Sequence, residues 1–436
     1  MKDEKSSVTK GTRKGFSRRT MLKGSAAAAG VAIGSGAIKG FPTIWAQNIK
    51  DVELRIAGLS VSNMPQVEEL AKKDLGLTIK MQAIDIPVII QRGLTQPKSV
   101  DILDTVYLAM PVIWPSGNFQ TIDAKKIKLW DKVVGTFKTG KLDSDAWYGQ
   151  GQNPSSVQFV ASPDAKQFSP EQTDNLTVLP FINNADTLGI RPDLIGHKVE
   201  SWKELINPEF KGKAALIGFP GIGFMDAAMA LEAEGLVKYE DKGNPTKAEI
   251  DATVSILQDL KNAGHWRSFW NTFIDSVNLM ASGEVVIQSM WSPAVTAVKS
   301  KGIPCEYVAL KEGYRSWGLG LMLPSHLEGL KLDAAYEYLN WMYSGVPGAF
   351  FARQGYYSPV PETVKATLDP YEWDFWYEGK PAEKDIIDPF GTTIDKAGSV
   401  RDGGSYKDRM GRVAIWNTIP SENEYLTQKW NSFIAT

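Results

Sequence analysis

The sequence predicts an α/β protein of two lobes joined by strands that cross between them. About 390 residues follow the first 46, which exceeds the size at which one hydrophobic core stops growing, so two lobes are expected. Strand patterns alternate with helix patterns along the chain, which is typical of a parallel or mixed sheet flanked by helices. The segment "CEYVALKEGYRSWGLGLMLP" reads as a long strand interrupted by glycines. Such a strand suits a segment that passes between lobes and bends as they move.

The first 46 residues have the pattern of an export signal. Arg18 and Arg19 stand before about fifteen weakly apolar residues that run from Gly24 to Ile38, and a candidate cleavage point follows Ala46. Paired arginines in this position are typical of a twin-arginine signal. A membrane helix needs roughly 20 strongly apolar residues, and this run is shorter and broken by glycines. We therefore expect export through the twin-arginine translocase, with the mature protein acting in the periplasm.

The charge and the residue composition exclude several classes of protein. Residues 1–46 hold nine of the 48 basic and two of the 50 acidic residues, so the mature chain has 39 basic and 48 acidic residues, a net charge of −9. Without a basic tract, nucleic acid and anionic lipid are not expected partners. Cys305 is the single cysteine, and His197, His265 and His326 stand apart from one another. We expect no disulfide, no metal site, no cofactor and no catalytic histidine.

Residues 47–182 are predicted to form the first part of the first lobe. The strand "VELRIAG" is followed by a helix in "MPQVEELAKKDLG" that Gly76 ends, and by the strand "LTIKMQAID". A second helix in "PVIIQRGLTQPKS" leads to a buried strand at 101–106, and residues 140–175 read as irregular.

The second lobe is predicted at residues 183–312. "TVLPFINNADTLGIRPDLI" is the strand that leaves the first lobe, and "GFPGIGF" is a glycine-rich turn that opens a helix near Phe224. Thr246 and Glu249 fit a capping box for a helix that Gly264 ends. "GEVVIQSMW" is a further strand. Residues 313–436 are predicted to return through the hinge to the first lobe, with a helix from Lys331 and further C-terminal helices.

Three segments resemble a known family in order and spacing. They are "SWKELINPEFKGKAAL", "ASGEVVIQSMWSPAVTAVKSKGIPCEYVALKEGYRSWGLGLMLP" and "FARQGYYSPVP". They resemble the extracellular solute-binding proteins of ABC transporters, in particular the spermidine/putrescine-binding branch. The resemblance covers roughly residues 50–365, while the final 70 residues match no named pattern. It implies a type II-like periplasmic-binding-protein fold with a ligand cleft at the hinge.

The resemblance also implies residues of that cleft. Trp291, Trp317 and Tyr107 match its aromatic positions, with core packing as the alternative, and Tyr356 comes from the region that closes the cleft. The acidic residues that hold ammonium groups in the polyamine branch do not carry over. Leu319 and the turn Gly218–Phe224 stand in their places.

The glycine-rich turn and Arg315 suggest an anion instead. Gly221, Gly223 and Phe224 would place free backbone N–H groups at a helix N-terminus, which favours an anion. The alternative is a tight turn in which glycine permits close packing. Arg315 would supply a bidentate partner for the same anion, or else be an ordinary surface residue.

Polar residues on the first crossing strand are further candidates. Asn183, Asn184 and Asp186 would hydrogen-bond a polar or zwitterionic ligand, with Asp186 as the partner for an amine, or else form an Asx-type turn. Ser60 follows the first strand and lies at the equivalent rim.

We therefore expect a monomeric periplasmic solute-binding protein that presents a small molecule to an ABC permease. The solute is either zwitterionic or anionic, or an amine held by Asp186 and the aromatic rings. The alternative is a periplasmic enzyme exported by the twin-arginine route. No cysteine or histidine cluster supports it, and "GFPGIGF" does not fit the G-x-G-x-x-G dinucleotide motif.

Overall fold

A computed structural model describes residues 49–435. The predicted twin-arginine signal and its cleavage point lie outside these residues. Within them the strands are β1 Glu53–Gly58, β2 Thr78–Ala83, β3 Ile102–Val106, β4 Phe119–Gln120, β5 Ile122–Asp123, β6 Gln150–Gly151, β7 Phe159–Val160, β8 Phe168–Ser169, β9 Asn175–Leu176, β10 Leu179–Ile190, β11 Ala214–Ile217, β12 Trp266–Trp270, β13 Ile287–Met290, β14 Glu306–Tyr307, β15 Tyr314–Pro324, β16 Ile386–Ile387, β17 Thr393–Asp395 and β18 Val413–Trp416.

The α-helices of the same residues flank the sheet. They are α1 Pro65–Leu75, α2 Ile86–Thr95, α3 Met110–Ile113, α4 Pro220–Ala233, α5 Lys247–Asn262, α6 Phe273–Ser282, α7 Ser292–Lys299, α8 Gly329–Trp341, α9 Val346–Ala352, α10 Pro361–Lys365, α11 Pro370–Trp376, α12 Tyr406–Met410 and α13 Asn423–Ala435. Among residues 49–435, no helix combines the length and the apolar character that crossing a membrane requires.

Two long antiparallel strands lie at the centre of the main sheet. The strand order is β12-β11-β13-β10-β15-β3-β1-β2, with β1 to β3 parallel on one side and β11 to β13 parallel on the other. β10 and β15 pair along most of their length, with Asn184 opposite Trp317 and Asp186 opposite Arg315. The predicted crossing strands are therefore confirmed, and so is the mixed α/β class.

Each group of parallel strands has its own hydrophobic core. The first core takes its buried side chains from residues 49–182 and 319–360. The second takes them from 188–310 and from the C-terminal residues Ile415, Leu426, Trp430 and Phe433. A smaller cluster forms around Tyr357, Trp376 and Trp416. The helix α13 packs on α4 and α5, although the sequence assigned residues 313–436 to the first lobe. The lobe boundaries stay predictions.

Local sequence signals predicted several element ends correctly. α1 ends at Gly76, whose φ of 74° suits glycine. α5 begins with the predicted capping box, in which Thr246 and Glu249 each accept the other's backbone N–H.

Two predicted elements differ in the structure. α4 begins at Pro220, before the predicted start at Phe224, because proline is compatible with the first turn, where its missing N–H has no intrahelical partner. Residues 305–324 form two strands, β14 and β15, and not one. A turn at Gly313, with φ of 84°, precedes β15.

Candidate functional site

The candidate site lies where the strands of the second parallel group end. β11, β12 and β13 are followed by Gly218, Asn271 and Trp291 at the same edge of the sheet. Ligands of open α/β sheets bind outside the carboxyl ends of parallel strands. β10 and β15 pass beside this edge and carry Asp186 and Trp317. The structure therefore brings the predicted residues Asp186, Trp291 and Trp317 together at this edge.

Arg315 lies at the centre of a buried ion network. Its side chain is 1% exposed, so the alternative of an ordinary surface residue is wrong, and the predicted contact with an anionic ligand stays a prediction. Its Nε donates to Asp226 over 2.6 Å, and its Nη1 donates to Asn417 and lies 3.3 Å from Asp186. The guanidinium is thus engaged by two carboxylates of the protein itself. Asp226, on α4, and Asn417, beyond the family resemblance, were missed because their pairing with Arg315 has no local sequence signal.

Asp186 is also fully buried, and both of its carboxylate oxygens have donors. Oδ1 accepts from the Tyr307 hydroxyl at 2.9 Å, and Oδ2 accepts from the Trp317 indole N–H at 2.8 Å. Its backbone is part of β10, so the predicted Asx-turn alternative is wrong. The carboxylate holds Trp317 in place, and a solute amine would have to displace these donors.

Burial opposes ionisation of the carboxylates in this network. It raises the pKa of Asp186 to about 6, although Arg315 and the Tyr307 hydroxyl act in the opposite direction. It also raises the pKa of Asp226 against the attraction of Arg315. Burial disfavours the Arg315 cation, but the two carboxylates outweigh it, so the pKa of Arg315 is raised. Arg315 and the two carboxylates each favour the charged form of the other and so act against the effect of burial.

Two of the predicted tryptophans remain partly exposed. Trp317 packs edge-on against buried Tyr356, with ring centroids 5.8 Å apart. Trp291 packs edge-on against Trp270 at 5.1 Å. Both tryptophans are only partly covered by their neighbours, so each keeps a flat apolar face and a fixed orientation. Such faces suit the apolar part of a small polar solute.

Tyr107 and Ser60 occupy different environments in the other half of the molecule. Tyr107 is 2% exposed, its hydroxyl donates to Gln158 over 2.7 Å, and its ring packs against Phe137. The core-packing alternative therefore describes Tyr107. Ser60 is exposed in the turn after β1.

The glycine-rich turn is shaped by packing at one position and open at another. A methyl group on Gly223 would lie 2.3 Å from the Ile217 carbonyl oxygen and 2.4 Å from the Trp430 ring. At Gly221 the nearest atoms are 3.6 Å away. Phe224 is buried edge-on against Tyr239. Gly223 therefore serves close packing, as one alternative supposed, and Phe224 belongs to the core.

Asn183 and Asn184 connect β10 to segments near the C-terminus. The backbone of Asn183 exchanges two hydrogen bonds of 3.0 Å with Tyr357. The Asn184 side-chain oxygen accepts from Arg409 at 3.0 Å. Arg409 is fully buried and its guanidinium faces the ring of Tyr307. Sequence reasoning missed Arg409, because it lies 225 residues from Asn184 and no local pattern connects the two.

One open groove lies away from these residues. It has a volume of about 500 Å³ and is lined in part by Lys299, Glu306, Asp395 and Asp402. Lys299 is already paired with Asp395 at 2.8 Å and with Asp402 at 2.9 Å. None of the predicted binding residues lines this groove.

Solved structures of low sequence identity share this fold. The spermidine/putrescine ABC-transporter substrate-binding protein PotD of Streptococcus pneumoniae is 15% identical, with a TM-score of 0.57 over 88% of this chain and 99% of that chain. The lipoprotein TpPotD of Treponema pallidum is 8% identical, with a TM-score of 0.61 over 88% and 100%. The binding protein AgtB of A. tumefaciens R10, solved with agropinic acid, is 12% identical, with a TM-score of 0.52 over 88% and 99%.

These likenesses confirm the predicted periplasmic-binding-protein fold. A family model gives the stronger result, because it matches residues 66–376, which are more than half of the chain. The model describes bacterial extracellular solute-binding proteins. The chain therefore belongs to the family of bacterial extracellular solute-binding proteins.

Proposed function

We propose that the protein is the monomeric periplasmic solute-binding component of an ABC importer. It binds a small polar organic solute against Trp317 and Trp291 and delivers it to a membrane permease. The observation that carries this proposal is the fixed, partly exposed Trp317, which Asp186 holds by hydrogen bond and Tyr356 supports edge-on. A preorganised aromatic face lowers the entropic cost of binding a small ligand.

The buried charges beside the tryptophans have a positioning role in this proposal. Arg315 pairs with Asp226 and Asp186 and donates to Asn417, and the oxygens of Asp186 accept from Tyr307 and Trp317. Breaking a buried ion pair costs about 3–5 kcal/mol, so a solute gains little by displacing either group. The network instead fixes the strands on which the tryptophans stand.

The relatives support a transport role and a small solute. PotD of Streptococcus pneumoniae is a spermidine/putrescine ABC-transporter protein, and AgtB was solved with agropinic acid. Proteins with this fold are thus associated with solutes of different charge, such as polyamines and agropinic acid. For this chain we infer binding without catalysis, export by the twin-arginine translocase, and a partner permease.

The binding mechanism in this proposal is closure of two lobes around the solute. β10 and β15 connect the two groups of parallel strands, so bending along them changes the distance between the groups. A solute that contacts both sides favours the closed state by its differential affinity.

Thermal unfolding of the mature protein against a broad ligand panel tests the proposal. The panel contains polyamines, amino acids, opine-like conjugates, organic acids, phosphonates and sulfonates. A ligand at 100 times its Kd stabilises the folded state by roughly 2.7 kcal/mol, which gives a clear rise in Tm. No rise with any compound would contradict the solute-binding proposal, and a bound chromophore in the purified protein would favour the enzyme alternative.

A further inference from the structure

We propose that the Tyr307 hydroxyl is a positioning group of the solute site and holds Trp291 and Trp317 in one fixed arrangement. This inference rests on the proposed solute-binding function and adds a residue to its site. Tyr307 is not among the residues that the sequence predicted for the site. It lies on the short strand β14, and its ring extends to the strands that carry the tryptophans.

The hydroxyl lies where the strand β10 changes its partner. β10 pairs with β15 as far as Asp186 and with β13 from Thr187 onwards, where Thr187 stands opposite Met290. The Tyr307 oxygen accepts from the Thr187 N–H over 2.9 Å. Its single hydrogen is shared between Asp186 Oδ1 at 2.9 Å and the Met290 carbonyl oxygen at 3.0 Å. One side-chain group therefore joins β10 to β13 at the point where β15 leaves the pairing.

The Asp186 carboxylate carries this fixation to Trp317. Its Oδ1 is held by the Tyr307 hydroxyl, and its Oδ2 accepts from the Trp317 indole N–H at 2.8 Å. The terminal torsion of an aspartate is broad and roughly two-fold, so the side chain alone does not set the direction of its oxygens. Without the hydroxyl, the carboxylate loses a donor and the indole loses an acceptor of fixed direction.

The Met290 carbonyl carries the same fixation to Trp291. This carbonyl and the Trp291 nitrogen belong to one planar peptide unit. A hydrogen bond to the oxygen therefore fixes the plane from which the Trp291 backbone continues into α7, where Trp291 is the N-cap residue. The ring of Trp291 is then oriented by its contact with Trp270 at 5.1 Å.

Tyr307 is itself held firmly. It is 2% exposed, and the guanidinium of buried Arg409 faces its ring 5.2 Å from the centroid. Burial, together with the charge of Asp186, raises the pKa of the Tyr307 hydroxyl well above its usual value. The hydroxyl therefore keeps the hydrogen that its contacts require.

The two tryptophans belong to different halves of the molecule. Trp317 packs against the first hydrophobic core and Trp291 against the second. Neither core alone sets the arrangement of the two rings, so contacts at the junction of the strands have to do so. A solute that packs against both rings binds more tightly when that arrangement exists before binding.

Fluorine NMR of the mature protein labelled with fluorotryptophan tests the positioning without any ligand. Trp291→Phe and Trp317→Phe assign the two signals. Tyr307→Phe removes the hydroxyl and keeps the ring. We expect the signals of both tryptophans to shift or broaden in this variant, because each ring loses one of its fixed supports.

Tyr314→Phe is the matched control. Tyr314 is 0% exposed, and its hydroxyl donates to the Gly403 carbonyl at 2.7 Å. The variant thus also loses one buried hydroxyl, and its position is on the same strand as Trp317. We expect the signals of Trp291 and Trp317 to stay where they are in the wild type.

Calorimetric titration then measures the effect on binding. The probe is the compound of the thermal-unfolding panel that gives the largest rise in Tm. We expect Tyr307→Phe to bind it about tenfold more weakly, since the lost hydrogen bond involves a charged group. Tyr314→Phe should bind it as the wild type does.

A second variant applies if Tyr307→Phe folds poorly. The double variant Asp186→Asn with Tyr307→Phe removes the carboxylate that has lost its donor. Asparagine still offers an acceptor to the Trp317 indole, so the Trp291 signal is the one expected to shift. An unchanged Trp291 signal in the double variant would refute the role of Tyr307.

The remaining outcomes separate the inference from the function on which it rests. Unchanged tryptophan signals in Tyr307→Phe, equal changes in Tyr314→Phe, or unchanged affinity in Tyr307→Phe would refute the positioning role and leave the solute-binding function standing. No binding by any compound of the panel would overturn the function, and with it the role of Tyr307 in binding, whatever the fluorine signals show.

Discussion

At the residue scale, Asp226 is expected to be important for stability because it pairs with the buried Arg315. The two groups are 1% and 0% exposed and 2.6 Å apart. Asp226→Ala leaves the cation without its closest partner, so we expect the free energy of unfolding to fall by about 3–5 kcal/mol. Urea denaturation measures this change.

A surface ion pair provides the control for this variant. Asp251 and Lys429 pair at 2.7 Å with 48% and 39% of their side chains exposed, and exposed pairs contribute about 0–1 kcal/mol. Equal losses in Asp226→Ala and Asp251→Ala would contradict the role given to the buried network.

Asp104 is predicted to make stability depend on pH. Burial raises its pKa to about 7, although Ser62 and Asn63 donate to it over 2.5 Å and 2.6 Å. An unfolded aspartate loses its proton near 3.8. Between these values the folded state holds an extra proton, so the contribution of Asp104 to stability falls as pH rises from about 4 to 7.

The variant Asp104→Asn isolates this effect. Asparagine keeps an acceptor for Ser62 and Asn63 but does not titrate. We expect its stability to change less than that of the wild type between pH 4 and 7, and to equal or exceed the wild type at pH 8. Parallel stability curves, from urea denaturation at each pH, would show that Asp104 does not titrate in this range.

The residues of the site were only partly predictable from the sequence. Trp317, Trp291 and Asp186 were expected near one another, because strand ends and the family resemblance place them there. The partners of Arg315 were not, since Asp226 and Asn417 lie 89 and 102 residues away from it. No local pattern distinguishes a buried, paired arginine from an exposed one.

At the element scale, the two glycines at the start of α4 have different roles. Gly223→Ala would place a methyl group against the Ile217 carbonyl and Trp430, which forces α13 away from α4. We expect a loss of about 1–3 kcal/mol, as in other overpacked cores. Gly221→Ala meets no such contact and should raise stability by up to about 1 kcal/mol through helix propensity.

Chemical denaturation of the two variants measures the difference. Both positions lie in the first turn of α4, so each substitution is the control for the other. If both substitutions are tolerated equally, close packing is not the reason for glycine at 223.

Elements whose ends depend on neighbouring residues were easier to predict from the sequence than elements that are held by contacts distant in the chain. α1 and α5 were predicted to within a residue or two of their ends, because proline, glycine and capping residues act within one helical turn. The strand β18 and the helix α13 had no such signal. β18 pairs with β15 about 100 residues earlier, and α13 is held by α4 and α5.

At the scale of the whole molecule, solute binding should make the protein more compact. β10 and β15 are the strands that link the two parallel groups, and bending there closes the cleft between them. With the most stabilising compound of the panel at saturation, we expect a smaller radius of gyration by small-angle X-ray scattering. An unchanged radius in a saturated sample would argue against closure.

The most direct test of the proposed function is a calorimetric titration of that compound into three proteins: the wild type, Trp317→Ala and Trp147→Ala. Trp147 is 43% exposed and lies outside the site, so it is the control. Central aromatic contacts contribute about 2 kcal/mol or more, which predicts at least tenfold weaker binding for Trp317→Ala and unchanged binding for Trp147→Ala. Equal affinity in all three proteins would contradict a solute site at Trp317.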